Sequence, residues 1–379
     1  MLLPSVLFTI CAYFASASPV AASHDQLLFA PPSAGSSSLP SIDSLDISPT
    51  HLAHLQHHIA SLPEKRLIKL AEDAAAIEVT EGEKALLVFQ GTRFVDVTDA
   101  FDIVGITEKE TYPHKVSTLG NARGFWPEVS ADKRVGQIAY TAKALKPLIK
   151  SIDLEYMETF LRNFTSFRTR YYRSETGRQS QQFLLAELKS IASMNKKANV
   201  TFREFQHPWR QKTIIARFEP SVNATSPKVV ILSSHLDSIN QLVFLPAPGA
   251  DDDGSGVSSN LMAFKALVAN DFVPSTQAVE FHFYSAEEGG MLGSQAVAQS
   301  YRSDGKTVRG MLHLDQTAWV KKGSTPVIAL INDNVDAGLT DFIRKLIGEY
   351  SALDYVDTKF SKLLIAFAVE LGGGASLGL

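Results

Sequence analysis

Four short polar stretches carry the residues able to do chemistry. His235 and Asp237 lie in Ser-Ser-His-Leu-Asp-Ser. Asp251, Asp252 and Asp253 occupy a loop framed by Gly249 and Gly254. Glu287 and Glu288 stand together before two glycines, and Asp315 closes Leu-His-Leu-Asp. One imidazole among carboxylates is a donor set for a divalent cation, zinc first, with cobalt or manganese also suited. Without a cation, so many acids in one place would repel and shift one another's pKa values. Taken singly, each stretch has an ordinary use: a polar histidine ending a strand, an aspartate turn or helix cap, a solvated glutamate loop. Their weight comes from occurring together, each after a segment that reads as a strand or just before a helix.

The elements that must position them alternate. Residues 228–234 form a continuous apolar run, the mark of a strand buried on both faces. Residues 278–285, 310–314 and 327–331 read as further strands. Val257, Leu261, Phe264 and Val268 mark one face of a helix, and Leu339, Phe342, Ile343, Leu346 and Ile347 mark another. Helical patterns also run through 149–163 and 181–195. This order predicts an α/β fold with a mostly parallel central sheet flanked by helices. Ligands in such sheets bind beyond the carboxyl ends of the strands, where His235, Asp237, Glu287, Glu288 and Asp315 fall. His313, two residues before Asp315, shares its face of the strand; a supporting or solvated role is expected for it rather than a ligand's. His282 has no functional case, and no internal repeat is present.

The stretches SHLDS (234–238), APGADDDGSG (247–256), YSAEEGGMLGSQA (284–296) and LHLDQTAW (312–319), with FTSFRTRYYRSETG (164–177) upstream, resemble the M28 family of zinc aminopeptidases in its secreted fungal branch. The resemblance runs over roughly residues 85–359. It implies a zinc-exopeptidase fold, two zinc ions per subunit and peptide substrates cleaved at a hydrophobic amino-terminal residue such as leucine. By the same resemblance, His235 and Asp315 hold one zinc, Glu288 holds the other and Asp252 bridges them. Glu287 is then the general base, taking a proton from a metal-bound water and passing it to the leaving amine. Asp237 sets the His235 tautomer through the other ring nitrogen. A related metal-dependent carboxypeptidase or deacylase, or a secreted protein that binds metal or peptide without turnover, are the alternatives.

After Lys359 the family pattern continues with a Cys-Gly-Tyr-Ala-Cys stretch, an Asp-His pair and a later histidine. Here the chain reads Phe360-Ser361-Lys362-Leu363, and no histidine follows His313. The expectation is a C-terminally incomplete peptidase domain at 111–379, from truncation, missplicing or a paralogue without activity. Its second zinc site would lack an imidazole.

Around that domain, an apolar run over residues 2–17 contains Cys11, the only cysteine, and ends Ala15-Ser16-Ala17. It reads as a signal peptide at 1–17 and predicts a secreted, extracellular protein. Sequons at Asn163, Asn199 and Asn223 agree with export. Residues 18–110 read as a pro-segment opening on a Ser/Pro-rich linker at 31–49, with strands at 85–89 and 94–97 and a polar junction at 108–110. Its acidic surplus faces a basic surplus in the rest of the chain. The net charge of −4 over 379 residues argues against a nucleic-acid partner, and no later run is long enough to span a membrane. A monomer is expected, with peptides and its own pro-segment as partners.

Overall fold

A computed structural model describes residues 64–98 and 145–359, apart from 71–74, 90–93, 97, 146, 196, 198, 222–227, 241–242, 244, 276, 321–322 and 333–334, together with 370–371 and 375–376. The signal-peptide run, the Ser/Pro-rich linker, the 108–110 junction, Asn223 and residues 360–369 lie outside the described residues. The chain's contacts form two compact units, one within residues 20–111 with 240–245, the other within 112–239 and 246–379.

In the smaller unit, β1 (Lys65–Lys69) pairs antiparallel with β2 (Ile77–Thr80) on one side and with β3 (Val95–Asp96) on the other. The segment expected as a strand at 85–89 is instead the end of helix α1 (Glu81–Phe89). Thr80 and Glu83 explain the difference. The Glu83 carboxylate accepts the Thr80 N–H at 2.7 Å, and the Thr80 hydroxyl accepts the Glu83 N–H at 3.1 Å. This reciprocal cap starts a helix, and Ala85, Leu86 and Leu87 are better helix than strand formers.

The larger unit is built on a five-stranded sheet. Helix α2 (Leu154–Phe164) and helix α3 (Glu175–Ser193) precede β4 (Val200–Phe205) and β5 (Thr213–Phe218). Then come β6 (Lys228–His235), α4 (Gly254–Ala269), β7 (Ala278–Tyr284), α5 (Leu292–Ser303) and β8 (Thr307–His313). The sheet order is β4-β5-β7-β6-β8. β7, β6 and β8 are parallel, whereas β4 and β5 join antiparallel at one edge. Beyond it, β9 (Ile328–Ile331) pairs parallel with β10 (Tyr355–Thr358) around α6 (Ala337–Tyr350), and β11 (Glu370–Leu371) pairs with β12 (Ala375–Ser376). The sheet is thus the mixed α/β type expected, with a mostly parallel centre.

Two features depart from the sequence reading. The edge strand β4 and its neighbour β5 are additional. The helix expected at 149–163 starts at Leu154, because the Asp153 side chain caps it by accepting the Tyr156 N–H at 3.0 Å.

Burial follows position. β6 and β7 are central, and all of β7 and nearly all of β6 are buried, as a strand covered on both faces must be. One face packs Leu232, Phe281 and Phe283 against Phe264, Leu261 and Leu267 of α4 and against Phe160 and Leu184 of α2 and α3. The other packs Ile231, Tyr284 and Met311 against Val297 and Tyr301 of α5. Helix α4 is apolar or small on nearly every side and is buried accordingly. The parallel register then sets the site. His235 pairs with Tyr284, and Ser233 with His313, so β6, β7 and β8 all end at one edge of the sheet.

Candidate metal centre

Beyond those three strand ends lie the residues singled out by sequence. His235 ends β6 and is fully buried. Its Nε2 is 3.0 Å from Asp252 Oδ1, 3.7 Å from Asp315 Oδ1 and 3.9 Å from Glu287 Oε2. His235, Asp252 and Asp315 offer one ligand atom each within 4.8 Å of one another. Neither ring nitrogen of His235 has a hydrogen-bond partner, nor does Asp315 Oδ1, although all three atoms are buried. An orphaned buried imidazole is costly. A cation held jointly with Asp252 and Asp315 would satisfy it, so the residues present fit a zinc ion at this point.

The three consecutive aspartates have three different jobs. Asp251 reaches across to the loop after β8, where its Oδ1 accepts the N–H groups of Ala318 at 2.8 Å and Trp319 at 3.0 Å. Asp252 faces His235 and also accepts the Gln316 amide at 2.9 Å. Asp253 turns inward. It caps α4 by accepting the Gly256 N–H at 2.8 Å, and its other oxygen accepts the His235 backbone N–H at 3.1 Å. A Cβ on Gly256 would stand 2.3 Å from Asp253 Oδ1 and 2.5 Å from the Leu314 carbonyl, so this close approach of helix and loop requires glycine.

Asp237 is likewise fully buried. Its Oδ1 lies 3.6 Å from His235 Nδ1, beyond hydrogen-bond reach. Its stronger contacts are to the glutamate turn. Oδ1 accepts the Glu287 N–H at 3.0 Å and Oδ2 the Glu288 N–H at 3.1 Å. Ala286, just before this turn, has φ of +58°, and Gln316, just after Asp315, has φ of +51°. Left-handed backbone at non-glycine residues costs energy and is held by its surroundings. At Ala286 those surroundings are explicit. The Ser285 N–H donates to Thr213 Oγ1 at 3.0 Å, and the Ser285 hydroxyl lies between the Gln211 side chain at 2.7 Å and the Trp209 indole at 2.9 Å.

The acids of the cluster act strongly on one another. Burial pushes Glu287 up to about 7, opposed by His235 and reinforced by Asp237, Asp315 and Asp252. Burial and then Asp252 push Glu288 well above the carboxylate range, and burial and then Asp315 do the same to Asp253. For His235, burial disfavours the charged ring, but Glu287, Asp237, Asp252 and Asp315 together hold its pKa well above the ordinary value. A divalent cation would reverse this repulsion.

Two other histidines are placed as well. His313 Nδ1 meets Ser233 Oγ at 2.9 Å, and its ring lies parallel to that of His235 at 6.4 Å. Burial lowers it to about 4, against the pull of Asp315. His282 is part of a buried network. It bonds Glu280 at 2.9 Å and the Tyr284 hydroxyl at 3.0 Å, and Tyr301 donates to Glu280 at 2.6 Å.

The register and the strand-end cluster define an α/β protein with a candidate divalent-cation site. Comparison with known proteins carries this one step further. The model of peptidase family M28 matches residues 213–363. Leucine aminopeptidase 1 of Colletotrichum graminicola is 42% identical over 311 residues, covering 79% of this chain and 71% of that protein. Leucine aminopeptidase 1 of Neurospora crassa is 40% identical over 291 residues, covering 74% and 67%. The LapA aminopeptidase of Legionella pneumophila superposes with a TM-score of 0.60 at 18% identity, over 79% of this chain and 82% of that one. The chain therefore belongs to peptidase family M28 and is a peptidase.

Proposed function

We propose that this peptidase is a secreted zinc aminopeptidase, releasing amino-terminal residues from peptides with a preference for hydrophobic side chains such as leucine. The observation that carries the reading is His235, a fully buried imidazole whose nitrogens make no well-aligned hydrogen bond, facing Asp252 and Asp315 beside Glu287. His235, Asp252 and Asp315 would hold the zinc. When bound, zinc supplies Lewis acidity that polarises the scissile carbonyl and makes water a better nucleophile at neutral pH.

The remaining work falls to the chain's own side chains. Glu287 accepts the proton of the attacking water at its carboxylate and returns it to the leaving amine. Asp237 holds Glu287 and Glu288 in place through their backbone N–H groups. Support for the aminopeptidase and leucine assignments comes from the names of the relatives.

Secretion is supported by the apolar run at residues 2–17 and by exposed sequon asparagines at Asn163 and Asn199. Among the described residues no helix is long and apolar enough to cross a membrane. Residues 18–110 are proposed as a pro-segment and 111–379 as the peptidase domain, acting as a monomer.

Among the described residues, a second metal would rest on Glu288 and a shared Asp252, two carboxylates that form a weak site for zinc. This favours a second reading, in which the chain binds metal and peptide with little turnover. The test is hydrolysis of a leucyl peptide by the full chain, with a free and with an acetylated amino terminus. Release of leucine from the free peptide only, abolished by a chelator and restored by zinc, supports the aminopeptidase. Equal release from the acetylated peptide refutes it, and zinc uptake with no release supports the second reading.

A further inference from the structure

Among the described residues, one fully buried guanidinium lies beside the charge cluster. Arg170 lies between α2 and α3, is fully buried, and sits over the Phe164 ring at 4.5 Å. A buried guanidinium needs its donors satisfied, and here they go to backbone. Nε–H donates to the Leu236 carbonyl at 2.9 Å, Nη2 to that of Gly249 at 2.9 Å, and Nη1 to that of Pro248. The Arg170 N–H donates to Ser238 Oγ at 3.0 Å, and that hydroxyl donates to the Ala247 carbonyl at 2.7 Å. Leu236 stands between His235 and Asp237. Pro248 and Gly249 lead directly into Asp251, Asp252 and Asp253. One planar fork thus joins the two loops whose ends supply His235 and Asp252. Its surroundings leave little room for change, since a Cβ on Gly249 would stand 2.9 Å from Nη2.

We propose that Arg170 is a positioning residue for the metal centre, fixing the separation of His235 and Asp252 by bridging the carbonyls of the loops that carry them. The inference rests on the metal reading above. Two physical consequences distinguish it from a merely structural role. The first concerns geometry. Lysine keeps the charge, but it is a point charge and cannot hold three carbonyls in one plane. The second concerns charge. Asp253, Asp237, Asp252 and Glu288 all act on Arg170, and although burial lowers its pKa to about 10 it stays protonated at neutral pH. Arg170 therefore partly offsets the repulsion among the acids around it.

The experiment titrates the full chain with cobalt(II), whose visible absorption reports both occupancy and coordination geometry, in the parent, Arg170→Lys and Ser238→Ala. Thermal unfolding of each metal-free protein is followed in parallel. The expected result is cobalt affinity weakened at least about tenfold in Arg170→Lys, with an altered absorption band, and about three- to tenfold in Ser238→Ala, from a loss of preorganised ligand geometry. The metal-free Ser238→Ala should unfold within a few degrees of the parent. If Arg170→Lys does not fold, Ser238→Ala decides alone. Parent-like affinity and spectrum in the folded variants overturn the positioning role while leaving the metal reading intact. A parent chain that binds no cobalt overturns both.

Discussion

Replacing Asp237 by asparagine tests how the glutamate turn is held. The two side chains have nearly the same shape, so packing is unchanged, and the change acts through one hydrogen bond and one buried charge. Asp237 accepts two backbone N–H groups, from Glu287 at 3.0 Å and Glu288 at 3.1 Å, in a fully buried position. Asparagine accepts one of them through its oxygen but turns an N–H₂ group toward the other. One charge-assisted bond is lost and one buried donor is left opposite another donor. Together these cost about 2–4 kcal/mol. Urea unfolding of Asp237→Asn at unchanged m should show that loss, and the rate on a leucyl substrate should fall at least about tenfold, because Glu287 rides on the released turn. Zinc bound through His235, Asp252 and Asp315 should remain. Stability within about 0.5 kcal/mol of the parent, the range of a surface change, together with an unchanged rate would refute the reasoning. Loss of zinc at unchanged stability would instead place the weight of Asp237 on His235 Nδ1, 3.6 Å away.

Three further outcomes are expected. Glu287→Gln should keep its zinc while the rate falls about two to four orders of magnitude, the worth of a positioned proton carrier; loss of metal would mean that the roles of Glu287 and Glu288 are exchanged. Burial alone would raise the Glu280 carboxyl, but His282, Tyr301 and Arg217 outweigh it and hold it at about 2 against an ordinary 4.5. That stability, about 3 kcal/mol, is fully present above about pH 4.5 and is lost as pH falls toward 2, so Glu280→Gln should flatten the acid limb of unfolding between those values. Expressing residues 111–379 alone should lower the folded yield if residues 18–110 assist folding; equal yield and stability would remove the pro-segment proposal.

The sequence made the polar cluster visible more readily than its supports. His235, Asp252, Glu287 and Asp315 are polar residues directly after apolar strands or before a helix, and a period-two or continuous apolar run is the strongest local signal a chain carries. The edge strand β4 and its neighbour β5 were hidden because their six residues each include charged side chains, as in Val-Thr-Phe-Arg-Glu-Phe. The helix at Glu81–Phe89 was hidden by an apolar run compatible with either element, although Thr80 and Glu83 carried the capping signature that resolves it.

Three adjacent aspartates look alike in a sequence. Their division into a loop tie, a carboxylate facing His235 and a helix cap follows from tertiary placement. Arg170 was least legible of all. An arginine amid Thr-Arg-Tyr-Tyr-Arg reads as a surface residue, and only the arrival of loops 236–238 and 247–249 gives its fork something to hold.

The central claim is that His235, Asp252 and Asp315 form the one strong metal site among the described residues. Its most direct test is the zinc content of the purified full chain after exhaustive dialysis against metal-free buffer, with His235→Ala alongside. The account predicts one zinc per parent chain and none in the variant. Two tightly held zinc ions in the parent, or zinc retained without His235, would contradict it.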